Sequence, residues 1–215
     1  MHLSKLKLLI LTVSVVGSGI IVGTFLWLNM PAKHRSGGWQ ARSLEGLEHY
    51  GDVPAFSFME RSGNKLALAQ LRGNLWVADF IYTTCTDTCP LQSAEMAKLQ
   101  ARWQSRGDFK LVSFSVDPAR DTPGVLAGYA DRFHADADRW YFLTGDKTQM
   151  TRLVQEGFRL SVSAAAEEGP DSDVILHSSR FVLVDKKAQI RGYYDSRDSD
   201  ALKRLNDDIA TLIKG

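Results

Sequence analysis

The apolar positions of the chain fall into three rhythms. From Leu8 to Leu28 they run for about 21 residues without a charged side chain, enough for a helix to cross roughly 30 Å of hydrocarbon. The run Leu75–Tyr82 has the length and composition of a buried strand. Lys110–Val116 is a second strand, apolar at Leu111 and Val112 and alternating at its end. Elsewhere the spacing is helical. Met96, Leu99 and Trp103 share one face of a helix predicted over Pro90–Trp103, and Leu202, Leu205, Ile209 and Leu212 share one face of a last helix from about Asp198.

Turn chemistry supplies the remaining boundaries. Asp117–Pro123 reads as a loop closing on Thr122, an N-cap, and on Pro123, a first-turn residue of a helix to about Phe133. Trp140–Leu143 is a short strand and Lys147–Glu156 a helix. Gly63-Asn64, between Gly51–Phe58 and Lys65–Leu68, predicts a β-hairpin ahead of the first core strand. A second hairpin joins Ser179–Val184 to Gln189–Tyr194 through Asp185–Ala188. Val162–Asp173, polar and broken by Gly169-Pro170, reads as an exposed, mobile loop. Strand, helix, strand, helix, strand, then hairpin and helix, is an α/β order built on right-handed crossovers. It predicts a thioredoxin-like fold, a central mixed sheet flanked by helices, behind an N-terminal transmembrane helix.

The expected domain plan is a short cytoplasmic N-terminus at 1–7, an anchor at 8–28, a linker at 29–43 containing Gly37-Gly38, and a folded domain at 44–215. Trp27 sits near the far end of the apolar run, where an indole favours the membrane interface. The alternative to an anchor is a long signal peptide, but no clear small-x-small cleavage pattern precedes Met30-Pro31. Lys5 and Lys7 on one flank are balanced by Lys33, Arg35 and Arg42 on the other, so charge barely sets the orientation. A lone thiol pair fits an oxidising compartment. With no Arg- and Ser-rich presequence, the placement is a bacterial inner membrane, single-pass, with the C-terminal domain in the periplasm.

Composition removes other classes. Basic and acidic side chains number 26 and 25, so nothing points to nucleic acid. No P-loop, dinucleotide fingerprint, heptad or repeat is present.

The chemistry gathers at Thr83-Thr84-Cys85-Thr86-Asp87-Thr88-Cys89-Pro90, which contains the only two cysteines. It joins a strand to a helix whose first amides lack internal partners and carry partial positive charge, an environment that favours thiolate. Such a pair can close into a disulfide, exchange disulfides or hold a soft metal. Asp79, an acid within the apolar strand six residues before Cys85, is either a buried proton acceptor for thiol chemistry or an edge carboxylate with a structural partner. Asp87 is expected to face solvent. Asp117, Arg120 and Asp121 are expected to shape the neighbouring loop, with Arg120 paired to one of the acids.

Ala78–Pro90, then Ser115–Pro123, then Leu143-Thr144-Gly145, then His177 ahead of a strand, together resemble the Sco (SenC/PrrC) family. The resemblance covers the anchor and nearly all of the domain from about Leu47. That family is membrane-tethered and thioredoxin-like, and many members deliver copper to the copper-A centre of cytochrome c oxidase subunit II. The resemblance implies that Cys85 and Cys89 are thiolate ligands, that His177 is the imidazole ligand, and that the partner is subunit II or another periplasmic copper or thiol protein. Two thiolates and an imidazole suit Cu(I) or Cu(II), whereas structural zinc takes four protein ligands and magnesium or calcium takes oxygens. One departure from the commonest pattern is Thr86, where proline often follows the first cysteine. It leaves an amide in the loop and removes a conformational lock.

Three activities follow as expectations. A copper chaperone would need His177. A thiol-disulfide oxidoreductase reducing an apo copper site would need only Cys85 and Cys89, and a peroxiredoxin-like peroxidase would need one peroxidatic thiolate beside an arginine.

Overall fold

The computed structural model describes residues 47–160, 163–165 and 175–214. The anchor, the linker and the expected domain start at Leu44 lie outside the described residues. Among the described residues no helix is long and apolar enough to cross a membrane.

Three parallel strands form the centre of the fold: β4 (Leu75–Ile81), β5 (Phe109–Ser115) and β6 (Trp140–Thr144). On one side of β4 lie β9 (Arg180–Val184), antiparallel to it, then β10 (Gln189–Asp195) and the short β1 (Gly51–Asp52). On the far side of β6 lie β2 (Ser57–Glu60) and β3 (Lys65–Ala67), both antiparallel. The result is one eight-stranded mixed sheet in the order β1-β10-β9-β4-β5-β6-β2-β3. The helices are α1 (Leu68–Leu71), α2 (Thr88–Arg102), α3 (Pro123–Arg132), α4 (Lys147–Arg152, continued as a π-helical turn over Leu153–Gly157) and α5 (Ser199–Lys214).

β4 is buried along its whole length because both faces of the sheet are covered. Trp76, Ala78 and Phe80 meet Phe114, Val182 and Phe158 on one face, under α1 and α4. Val77 and Ile81 meet Met96, Leu99, Tyr129, Leu205 and Ile209 on the other, under α2, α3 and α5. Met96, Leu99 and Trp103 therefore share the buried face of α2, as their spacing predicts.

Four details differ from the sequence expectations. The cysteine helix begins at Thr88, so Pro90 is its third residue rather than its first. That position is tolerated because amides throughout the first turn have no intrahelical acceptor. The first hairpin is shorter than expected, with Gly51–Asp52 split off to pair with β10. Pro54, which has no N–H to contribute, separates the two pieces. Helix geometry after Lys147 changes to a π-turn at Leu153. Within the segment expected to be an irregular loop, Ser163–Ala165 forms a strand, β7, paired antiparallel with β8 (Ile175–His177), Ser163 opposite His177. The rest of that loop lies outside the described residues.

Candidate functional site

The loops that follow the parallel strands collect at the C-terminal end of the sheet, the usual place for a site in an open α/β sheet. β4 ends at Ile81, whose carbonyl accepts from Val116 N–H at 2.9 Å. The chain then turns, with Cys85 N–H donating to Tyr82 O at 3.2 Å. Thr83 points into the neighbouring loop, where its N–H and hydroxyl both donate to Asp121. The Ser115 hydroxyl donates to the same carboxylate at 2.6 Å. Asp121 is thus buried by the three donors it accepts from, and is more than a loop-shaping residue. Arg120 pairs with Asp117 at 2.9 Å, and Thr122 caps α3 by accepting from Val125 N–H, both as expected.

Cys85 is half-buried and Cys89 fully buried, and both are free thiols. The N–H of Cys89, the second residue of α2, donates to Cys85 Sγ at 3.4 Å. Asp87, at the N-cap, is exposed and offers no side-chain cap, so the Cys85 sulfur stands where a capping oxygen would. Burial pushes the Cys85 thiol up, but the backbone N–H groups of Cys89 and Asp87 and the side chains of Cys89 and Tyr82 outweigh it and leave the thiol below its ordinary range. Cys89 goes the other way. Burial pushes it well above the usual thiol range, and the neighbouring Cys85 and Asp79 add to the rise.

Asp79 is buried within the sheet rather than placed at an edge. It is fully buried on the α2 and α3 side of β4, and among the described residues neither carboxylate oxygen has a hydrogen-bond partner. Its register partner on β5 is Ser113, whose oxygen accepts from Trp140 Nε1 at 2.8 Å. Burial pushes the Asp79 carboxyl up to about 7, and the Ser113 hydroxyl, outside hydrogen-bonding geometry, offsets only part of this. Across the same pocket of side chains, Ser93 of α2 meets the Tyr129 hydroxyl of α3 at 2.9 Å.

His177 is the last residue of β8, and its side chain lies outside the described ones. Strand direction fixes where its backbone emerges. β4 runs towards the cysteines, and β9 runs antiparallel beside it, with Ala78 opposite Val182. The start of β9, three residues after His177, therefore lies at the end of the sheet that carries Cys85. Gln92, one turn beyond Cys89 on the buried face of α2, donates from Nε2 to the Ser178 carbonyl at 3.0 Å. Gln92 was not among the predicted site residues. Its signal is a polar side chain at a position in register with Met96, Leu99 and Trp103. Among the described residues no three His, Cys, Asp or Glu side chains form a metal-holding group.

Comparison with known proteins points to one family. The SCO1/SenC family model matches residues 47–214. The SCO1 protein homolog of Bacillus subtilis is 30% identical over 160 residues, which is 74% of this chain and 81% of that protein. The solved structure of BsSco, described as a disulfide-switch member of the Sco family of cytochrome c oxidase assembly proteins, is 27% identical with a TM-score of 0.65, covering 78% of this chain and 97% of that one. Arabidopsis thaliana ScoI, solved with copper bound, shares the fold at a TM-score of 0.64 and 23% identity, covering 76% of this chain and 99% of that one.

Proposed function

This chain belongs to the SCO1/SenC family, and we propose that it is a membrane-anchored copper chaperone that binds one copper through Cys85, Cys89 and His177 and delivers it to the copper-A centre of cytochrome c oxidase subunit II. In this reading residues 8–28 anchor it in a bacterial inner membrane, 29–43 are the linker, and the domain from 44 onward works in the periplasm.

One observation carries the proposal. Two free thiols sit side by side at a helix start, on the end of the sheet where the chain enters β9 three residues after His177. The donor set suits the cargo, since thiolate and imidazole favour copper over hard cations. Both thiols must give up their protons to bind metal, and they differ in how readily they do so. Cys85, half-exposed and served by backbone N–H groups, is the natural point of first contact. Cys89, held as a thiol by burial, closes the site afterwards.

The test is Cu(I) titration of the full-length reduced chain against a competing chelator without oxygen, beside His177→Ala and a Cys85→Ser/Cys89→Ser double variant, with Cu(II) spectra in parallel. One copper per chain, weakened in His177→Ala and lost in the double variant, is the expected result. Competition no stronger than that of the double variant overturns the reading.

Asp79 favours a second reading, a thiol-disulfide oxidoreductase acting on the cysteines of an apo copper site. Cys85 and Cys89 would pass two electrons and two protons to a partner disulfide, which becomes two thiols as the Cys85–Cys89 disulfide forms. A buried, unpartnered carboxyl that titrates near neutrality can take the proton of Cys89 during that exchange. Turnover of a peptide disulfide that survives His177→Ala but falls in Asp79→Asn distinguishes this activity from copper binding.

A further inference from the structure

Gln92 is a polar residue on an apolar face. It is 1% exposed, and Met96 and Leu99 continue the same face into the core. An apolar side chain there would cover the sheet with no polar group to satisfy, whereas a buried amide needs partners and loses rotamer freedom. The partner its Nε2 finds is the Ser178 carbonyl at 3.0 Å, 86 residues away in sequence and directly after His177. The same short segment is held elsewhere by Ser196 N–H on the Ser179 carbonyl at 2.8 Å and by Arg180 N–H on Ser178 Oγ at 3.2 Å. Those bonds tie it to its own hairpin. Among the described hydrogen bonds of the segment, the one from Gln92 ties it to the helix that carries Cys89.

We infer that Gln92 is a positioning residue, which fixes the main chain leaving His177 against the cysteine helix one turn beyond Cys89 so that imidazole and thiols meet the same metal. The inference rests on the three-ligand reading above and adds a residue that touches no metal. Its energetic consequence is specific. Loosening the segment costs binding only through His177, so the effect of changing Gln92 must depend on whether His177 is present.

The experiment is a double-mutant cycle in the full-length reduced chain. Cu(I) affinity is measured by chelator competition for Gln92→Met, His177→Ala and the pair. Gln92→Met is expected to weaken binding by about three- to ten-fold in the native background, the value of one neutral hydrogen bond. With His177→Ala already in place the further loss is expected to be less than about two-fold. Equal losses in both backgrounds, or no loss in the native one, overturn the proposal while leaving the three-ligand reading intact. An unchanged affinity in His177→Ala alone overturns both. Gln92→Asn, one methylene too short to reach the carbonyl, gives the same pattern if the bond matters, and serves where Gln92→Met does not fold. A metal-free measurement runs alongside. Hydrogen–deuterium exchange of the peptide covering Ser178–Arg180 is expected to speed up in Gln92→Met while β4 is unchanged, and equal exchange in both chains counts against the proposal.

Discussion

Thr83 gives both its backbone N–H, at 3.2 Å, and its hydroxyl, at 2.5 Å, to the carboxylate of Asp121, 38 residues further along the chain. With Ser115 added, one buried carboxylate receives three donors and joins the loop after β4 to the loop after β5. The cysteine loop is held in place by that joint two residues before Cys85. The Thr83 N–H can only donate, so an acceptor is required there, and the carboxylate also takes both hydroxyl protons.

Thr83→Val removes the hydroxyl donor and keeps the amide. It is expected to lower the unfolding free energy by about 1.5–3 kcal/mol, the range for a hydrogen bond to a charged group. Asp121→Asn is expected to cost more, since its amide sets N–H groups against donors. Urea unfolding of the reduced chain reads both, and a Thr83→Val midpoint equal to that of the native chain contradicts the joint.

Asp79 gives the stability a pH dependence with a definite sign. Its folded pKa, about 7, lies above the ordinary 3.8, so between those values the native state binds more protons than the unfolded chain. Its contribution is full at low pH and is lost as pH rises towards 7, by roughly 3–4 kcal/mol as an upper figure. Asp121, also raised by burial, acts in the same direction, so the difference between variants is the quantity to read. Asp79→Asn is expected to flatten the fall in urea stability between pH 5 and pH 8, and to be more stable than the native chain at pH 8. Parallel pH profiles for the two chains would exclude this role of the carboxyl.

The strand and helix order was legible because the central sheet writes itself as continuous apolar runs, Leu75–Ile81 above all, and because Thr122-Pro123 is an explicit helix start. The thiol pair was legible from Cys85 and Cys89 alone. Asp79 stood out within its strand, but its isolation did not, since that depends on which side chains of β5, α2 and α3 pack around it. The Asp121 joint and the Gln92 bond were illegible for one reason. Each links residues tens of positions apart, and only the register of β4 with β5 and β9 brings them together. The pairing of β7 with β8 was hidden by composition, because Ser163–Ala165 carries neither β-branched nor aromatic residues.

The two thiols should differ in reactivity. Cys85 is half-exposed and lowered by donated hydrogen bonds, whereas Cys89 is 1% exposed and raised by burial. Only the thiolate is alkylated. Brief iodoacetamide treatment of the reduced chain at neutral pH is therefore expected to label Cys85 at least about ten-fold faster than Cys89. Peptide mass spectrometry identifies the labelled residue, and in urea the two should react alike. Equal labelling of the folded chain would remove the distinction between a first-contact and a closing thiol.

Copper binding carries its own count of protons, which reports how many thiols take part. Each thiol that is protonated before binding and thiolate afterwards makes log affinity rise by about one for each pH unit below its pKa. Cys89, raised by burial, supplies a slope of about one by itself. Cys85, lowered by donated hydrogen bonds, adds a smaller increment. The native chain is therefore expected to show a slope between about one and two, and Cys85→Ser a slope of about one. Cys89→Ser is expected to show a shallower slope than Cys85→Ser, because its remaining thiol is the lowered one. Chelator competition at three or four pH values measures these slopes. A native slope that never exceeds that of Cys89→Ser means that Cys85 binds alone, and the buried thiol is then a structural neighbour of the metal rather than its ligand.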